Sequence, residues 1–366
     1  MKHLGRLVVA VILGANLLFT VLLLAAAYSP WIQPVRHPVL ACMGLTFPIF
    51  LLTEIAFLLF WVLIQQYRCA LLPLLGLLLC IPQSQTYFPL HFRTDTLPSG
   101  SIKVLSYNIM GFGDGTPKGK DNPILTYLKE SGADIICLQE YAAGRSHKHP
   151  SQQDIESALS DWPYHRIDAV GKNQGNRIAC YSKLPILSVQ PLKYASASNG
   201  SVAYELLWGK DTLLLINNHL ESNKLNPEDK EVYEDLLRDP EKDKMKKGIR
   251  HLVGKLANAA AIRAPQADTI ARTVATSSHR YIVVCGDFND SPISYAHRVA
   301  CQGLKDAFST SGCGPGISYN RNKFYFRIDN LLVSPALKAY NCRVDHTIRH
   351  SDHYPIACHV AKAGKK

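Results

Sequence analysis

Charge is almost absent from the first quarter of this chain. Residues 1–99 carry only Lys2, Arg6, Arg36, Arg68, Arg93, Glu54 and Asp95, which leaves 35 of the 40 basic and 27 of the 29 acidic side chains to the remainder of the 366 residues. A segment this poor in charge has to be buried, and its run lengths fit a bilayer. Residues 7–27 are uncharged, and about 20 apolar residues cross a hydrocarbon layer about 30 Å thick. Residues 39–64 form a longer stretch interrupted only by Glu54. Residues 69–82 are apolar but short of the usual span at about 1.5 Å per residue. With Arg68 snorkelling at one end and Tyr87 and Phe88 at the other, they read as a third crossing. The expected organisation is a membrane region of about three transmembrane helices over residues 1–85, a linker over 86–99, and a domain over 100–366.

The alternative for the first segment is a cleavable leader, since Lys2 and Arg6 precede an apolar run ending in Ala25, Ala26 and Ala27. The run exceeds the usual apolar length of such leaders, which favours a retained span. Glu54 inside a span is either functional or an acid protonated or hydrogen-bonded within a three-helix bundle. Lys2 and Arg6 favour a cytoplasmic N-terminus, and an odd number of spans then makes this a multi-pass membrane protein with an extracytoplasmic second half. Arg36 and His37 compete with Arg68 in that argument. Seven of the ten cysteines lie beyond residue 100. Cys137, Cys180, Cys285 and Cys358 sit in apolar runs where a thiol behaves as a small hydrophobe, so the set reads as mostly reduced, which argues against an oxidising compartment.

The second part of the chain is organised by apolar runs that stop abruptly at polar groups. Residues 281–292, YIVVCGDFNDSP, are the sharpest case, with Asp287 and Asn289 at the end of a buried strand. Burying such groups is costly without a partner, so a ligand is the natural reason for them. KVLSYN ends at Asn108, DIICLQE at Glu140 and DTLLLINNH at His219; Asp329 opens a further run and Asp352-His353 another. Gathered in one place, Glu140, Asp287 and Asp352 would raise one another's pKa values unless a cation sat among them. Hard oxygen donors suit magnesium, with manganese or calcium next, and the absence of CxxC or HExxH spacing argues against a structural or protease-type zinc.

These motifs also carry a resemblance. SYNI (106–109), ICLQE (136–140), NNHLES (217–222), GDFNDSP (286–292), RIDN (327–330) and SDHYPI (351–356) resemble, in order, the motif set of the endonuclease/exonuclease/phosphatase superfamily with its DNase-I-like fold. The whole chain looks like a membrane-anchored, bacterial-type member. Asn218 departs from the threonine that many members carry before the histidine, while His219 is intact. Alternation of short strands with helical stretches already suggests an α/β layered fold. The resemblance implies its topology, a four-layered sandwich of two mainly antiparallel sheets packed face to face with helices outside. Asn122-Pro123 is expected to open a helix, with Asp121 as its cap, and residues 152–159 another. Residues 178–182, 202–208 and 212–217 read as strands. Residues 221–279 form a long connection whose charged first half reads as a solvated helical excursion and a candidate lid. Residues 252–274 read as helix with a break at Pro265.

What the resemblance implies about chemistry is hydrolysis of a phosphate ester. Glu140, helped by Asn108 and Asp352, would hold magnesium; Asp287 would orient or deprotonate water; Asn289 would fix the phosphate. Asp329 would set the tautomer of His353, a base or stabiliser, and His219 would donate to the phosphate or leaving group, with Arg263 and Asn108 as further substrate contacts. Family members differ over whether the aspartate or the histidine is the base. A net charge of +8 beyond residue 99, out of +11, favours an anionic substrate or an anionic membrane surface. No interleaving of aromatic and basic residues marks single-strand binding. The expected partners are therefore a phosphate ester and the lipid bilayer, with no protein partner. A lipid or glycolipid headgroup comes before nucleic acid because tethering benefits an enzyme whose substrate lies in the membrane. A nuclease is the alternative, and a metal-binding or phosphate-binding module without turnover is the alternative of another class.

Overall fold

The computed structural model describes residues 2–116, 121–225, 242–321 and 325–364. The first part is helical: α1 (Lys2–Tyr28), α2 (Pro38–Ala41), α3 (Phe47–Leu63), α4 (Tyr67–Leu79) and α5 (Ile81–Tyr87). Two stretches, Gly5–Trp31 and Pro38–Leu63, are long and apolar enough to cross a membrane. Where a third span is expected, α4 and α5 meet at an angle of 60°, the shape of a broken span or of a re-entrant loop. Packing gives the directions. Phe19 meets Phe50 and Phe57, and Trp61 Nε1 donates to Asn16 Oδ1, so α1 and α3 are antiparallel. Gly76 abuts Thr20, and Tyr28 donates to the Leu79 carbonyl, so α1 and α4 run together. Glu54 is fully buried at the centre, accepting from Asn16 Nδ2 at both oxygens and from Thr20 Oγ1. It is the hydrogen-bonded acid of a three-helix bundle.

Among the described residues the second part holds twelve strands: β1 (Ile102–Asn108), β2 (Ile135–Gln139), β3 (Tyr164–Val170), β4 (Asn176–Ser182), β5 (Ile186–Pro191), β6 (Gly200–Trp208), β7 (Asp211–His219), β8 (Tyr281–Asp287), β9 (Lys305–Asp306), β10 (Asp329–Val333), β11 (Leu337–Val344) and β12 (Ile356–Lys362). They form two six-stranded sheets, ordered β11-β12-β1-β2-β4-β3 and β5-β6-β7-β8-β10-β9. Each sheet has a single parallel pair at its middle, β1 with β2 and β7 with β8, and every other ladder is antiparallel. Val104, Ile135 and Cys180 of one sheet pack on Tyr204, Leu213 and Val283 of the other to form the central core. Outside one sheet lie α6 (Pro123–Glu130) and α7 (Gln152–Ala158), with Leu128 and Ile155 in the interface. Outside the other lie α8 (Lys242–Thr276) and α9 (Tyr295–Ala300), through Ile270, Val274 and Ala300, while α10 (Ala307–Ser311) puts Ala307 and Phe308 into the central core. The result is a four-layered α/β sandwich.

Three local readings change. Asn122, not Asp121, caps α6, its side chain accepting from the backbone N–H groups of Ile124 and Leu125. Proline at the first helical position makes its predecessor the cap. Helix α8 runs through Pro265 without a break. Burial of Arg263, Gln266, Ala267 and Ile270 on both sides of the proline holds it together against a local cost of about 3 kcal/mol. Residues 226–241, most of the charged excursion and candidate lid, lie outside the described residues.

The two parts share a core. Ile293 of the sandwich is buried among Leu23, Ala26, Ala27, Phe47 and Tyr87 of the helices. Gly44 sits so close beneath it that a Cβ there would lie 1.7 Å from the Ile293 carbonyl oxygen, so only glycine fits. Arg298 donates to the Pro30 carbonyl at 2.8 Å and covers the Trp31 ring. Residues 86–99, expected as a linker, are bound along the sandwich: His91 N donates to the Gly312 carbonyl, and Thr94 and Asn341 exchange two hydrogen bonds.

Candidate active site

Strand direction explains why residues 108–353 can meet at all. The parallel pairs end together, so Asn108 at the end of β1 lies beside Glu140 just after β2, and His219 at the end of β7 is in register with Asp287 at the end of β8. The antiparallel neighbours start at that same edge: Asp329, first residue of β10, faces Asp287, and His353 precedes β12 where β12 pairs with β1. Stacking the sheets then brings both edges together. Gly286, with φ +130°, lets β8 approach β7 here, because a Cβ would lie 2.0 Å from the Asn218 carbonyl oxygen.

At the centre, Asn108 Nδ2 donates to Glu140 Oε1 at 3.0 Å and to Asp287 Oδ2 at 3.1 Å. Asp287 is further fixed by the Asn289 backbone N–H at 2.8 Å and by Asn289 Nδ2, which also donates to the Leu220 carbonyl. Glu140 and Asn289 both have φ of +52°. Asparagine tolerates this region; for glutamate it costs about 1–2 kcal/mol, so the turn after β2 is held in a strained form that aims the carboxylate into the cleft. On the other side, His353 Nδ1 is 2.8 Å from Asp329 Oδ2, and its Nε2 is 3.6 Å from Asp287 Oδ2. Burial opposes a charge on His353, but Asp329 and Asp287 raise its pKa well above the usual range. Burial also pushes the Asp287 carboxyl up to about 6 against the pull of His353. Asp329 is itself pinned, with its N–H and that of Ile328 both donating to Ser318 Oγ.

His219 completes the ring. Its Nε2 is buried with no hydrogen bond, 3.6 Å from Glu140 Oε1 and 3.7 Å from Asp287 Oδ2. Its Nδ1 is 3.1 Å from Asn176 Nδ2. An amide N–H can only donate, so Nδ1 accepts and the neutral ring carries its proton on Nε2, facing the two carboxylates. Asp352, partly exposed, lines the same cleft of about 420 Å³.

This donor set fits a hard divalent cation. Glu140, whose side chain is 40% exposed, meets Asp287 around a single amide, with Asp352 opposite in the cleft; a cation beside Glu140, Asn108 and Asp352 would relieve that repulsion. Asp287, Asp329 and His353 also gather within 4.8 Å. The short His353–Asp329 hydrogen bond already fills that group, and a cation there would have to break it.

One expected contact is corrected. Arg263 is 2% exposed and all its guanidinium nitrogens are engaged, by Asp290 Oδ2, the Glu221 carbonyl and Asn223 Oδ1. It ties the loop after His219 to the loop after Asp287, and four of its five N–H donors are engaged in doing so. Sequence reasoning missed Asn176 and Ser318, each a lone small polar residue in or beside a loop, which no periodicity marks; Ser351 stood in the SDHYPI motif, but its role, Oγ donating to the Asn108 carbonyl, was not read.

Residues 105–353 match the model of the Endonuclease/Exonuclease/phosphatase family, and residues 9–87 match that of a domain of unknown function, DUF8431. Among solved structures, humanized D. rerio TDP2 carrying 14 mutations is 14% identical, with a TM-score of 0.52, and the match covers 72% of this chain and 100% of that one. An endonuclease/exonuclease/phosphatase from Beutenbergia cavernae is 16% identical, with a TM-score of 0.49 and 72% of each chain covered. The human Nocturnin catalytic domain is 15% identical, with a TM-score of 0.49 and coverage of 75% and 97%. At these identities the likeness to TDP2 speaks for the fold alone. No curated protein sequence matches this chain.

Proposed function

The chain belongs to the endonuclease/exonuclease/phosphatase family, and on that premise we propose that it is a membrane-anchored, divalent-metal-dependent phosphoesterase that hydrolyses a lipid or glycolipid headgroup ester. The observation that carries the reading is the convergence of Asn108, Glu140, Asp287, His219 and the Asp329–His353 pair on one cleft, with a buried donor on His219 that no group among the described residues satisfies.

Glu140, Asn108 and Asp352 would hold a divalent cation, magnesium by the hardness of the donors, and the chemistry it would supply there is Lewis-acid stabilisation of the charge that develops on the phosphate. Asp287 takes the proton of the attacking water. Two carboxylates flank His353, Asp329 at Nδ1 and Asp287 near Nε2, so its ring is held as a cation and acts as donor to the phosphorane-like state. That assigns the base to the aspartate. Asn289 fixes Asp287 and the phosphate beside it, and His219 Nε2–H donates to the phosphate or leaving oxygen.

The bundle gives this activity its location. Lys2, Arg6 and Arg68 lie at the end of the three passes opposite the sandwich, which supports a cytoplasmic N-terminus and an extracytoplasmic cleft.

The test uses the full chain in detergent with bis-p-nitrophenyl phosphate, phospholipid and inositol phosphate headgroups, and plasmid DNA. Turnover of headgroup esters that EDTA abolishes and magnesium restores is the expected result; turnover that survives chelation removes the cation's role. The net charge of +8 beyond residue 99 also suits a nuclease. Cleavage of DNA alone, with affinity that falls steeply as salt rises, would replace the lipid reading.

A further inference from the structure

We propose that the membrane region builds half of the substrate site: Leu45, Thr46 and Ile49, together with Leu252 and Leu256 of α8, form an apolar wall that receives the hydrocarbon chain of the ester whose phosphate sits at Glu140, Asp287 and His353. The proposal rests on the phosphoesterase reading and adds to it where the apolar part of the substrate goes and which residues select it.

The cleft that contains the acid and histidine cluster is two-sided. One side is the polar edge of the two sheets; the other is the wall just named, and Leu45, Thr46 and Ile49 come from the membrane region at the start of α3. The wall is held against the catalytic edge by the shared core, since Gly44 is pressed onto the Ile293 carbonyl and Phe47 is buried in the cluster around Ile293. A site for a fully hydrated ester has no use for leucine and isoleucine facing its metal ligands, because apolar surface left in water costs about 25 cal/mol per Å².

The wall also leads somewhere. Ile49, Leu52, Ala56, Leu59 and Leu63 recur at spacings of three, four, three and four and so share one face of α3. All five are exposed, Ile49 and Leu52 by 62% and Leu63 by 80%. This stripe starts at the cleft mouth and runs about 21 Å down the helix, at about 1.5 Å per residue, along the surface that faces lipid. An alkyl chain can pass from the bilayer along α3 to the wall while its phosphate reaches the polar edge, so the ester need not leave the membrane. The occupant is therefore a phosphate ester with one long hydrocarbon substituent.

The experiment compares methyl and hexadecyl p-nitrophenyl phosphate, which share a leaving group, on the full chain in one detergent with magnesium. Burial of a methylene is worth about fourfold in affinity, so kcat/KM for the hexadecyl ester should exceed that for the methyl ester by at least tenfold. Ile49→Ser and Leu45→Ala should each cut that ratio severalfold, while Leu187→Ser, on the exposed face of β5 (Ile186–Pro191) away from the cleft, should keep it. Binding of hexadecylphosphonate against methylphosphonate is measured alongside. A ratio near one, or one that Ile49→Ser and Leu45→Ala leave intact, overturns the wall. Chain-dependent phosphonate binding that Ile49→Ser weakens, with neither ester hydrolysed, upholds the wall and overturns only the phosphoesterase reading.

Discussion

The molecule buries a carboxylate in each of its two halves, and the two are treated differently. Glu54 in the bundle has both oxygens satisfied by Asn16 and Thr20; Asn16 is in turn bonded by Trp61, and no atom of the four is left without a partner. Asp287 in the sandwich is just as buried, but it opens on a cleft and is ringed by groups with unmet capacity, His219 Nε2 and Asp329 Oδ1. A closed polar cluster fixes how helices pack. An open one, with donors and acceptors waiting, is built for something that arrives.

The sharpest way to break this comparison is to remove each acid. Asp287→Ala or His353→Ala should lower phosphoesterase turnover a hundredfold or more, the scale of acid-base groups, with little change in unfolding midpoint. Retained turnover in both would make the open cluster structural after all. Glu54→Ala should do the reverse. It strands the buried Asn16 and Thr20 donors and should cost about 2 kcal/mol of stability in denaturant titrations of the detergent-solubilised chain, with turnover per folded molecule kept. A loss of turnover without a loss of stability would give Glu54 a function.

A smaller effect sharpens the role of the pair on the open side. Asp329→Asn keeps the shape but removes one of the two charges that hold His353 cationic, and should lower kcat about tenfold or more at pH 7 while leaving KM nearly unchanged. Equal loss in kcat and gain in KM would point to a distorted cleft instead.

The smallest effect comes from a third buried cluster at the joint, His297, Asp306 and Arg327. Burial opposes the charge on His297, yet Cys301 and Asp306 hold its pKa up at about 10, from an ordinary 6.5. Burial would raise Asp306, but Arg327 and His297 hold it far below the usual carboxylate range. A raised base stabilises fully below its unfolded pKa and loses that contribution as pH climbs from about 6.5 towards 10; the depressed acid contributes above about 3.8 and loses it as pH falls. The gap in thermal midpoint between the unaltered chain and His297→Gln should therefore shrink by about 3 °C or more between pH 6.5 and 10, equivalent to about 1 kcal/mol at this size. A gap that stays flat would mean the pair is not charged in the way its contacts imply.

The polar ends of strands were readable because burial is expensive. An apolar run that stops at Asn108, Glu140, His219 or Asp287 states its own exception, and chain order alone put the six motifs in sequence. What could not be read depends on distant partners. Arg263 offered a free cation until Asp290, 27 residues away, closed on it. Pro265 is a breaker by local rules, and the packing of its neighbours on the loops, on α9 and on the sheet keeps α8 whole. Asn176 gives no pattern at all, yet it sets the proton of His219. The apolar run after Arg68 was readable in composition but not in shape, because the bend at residue 80 is set by Pro82, two residues on, and by the packing of Tyr87 on Phe47.

The contact between Gly44 and Ile293 has a further consequence. With the helices in a bilayer, as proposed above, this contact would leave no slack and would hold the edge that carries Asp287 at one fixed height above the lipid. Cutting the chain at residue 100 would bare Ile293 and Arg298 together, so an isolated soluble half would be sticky as well as misplaced. On that proposal, the intact protein would select substrates by their depth before it selected them by chemistry.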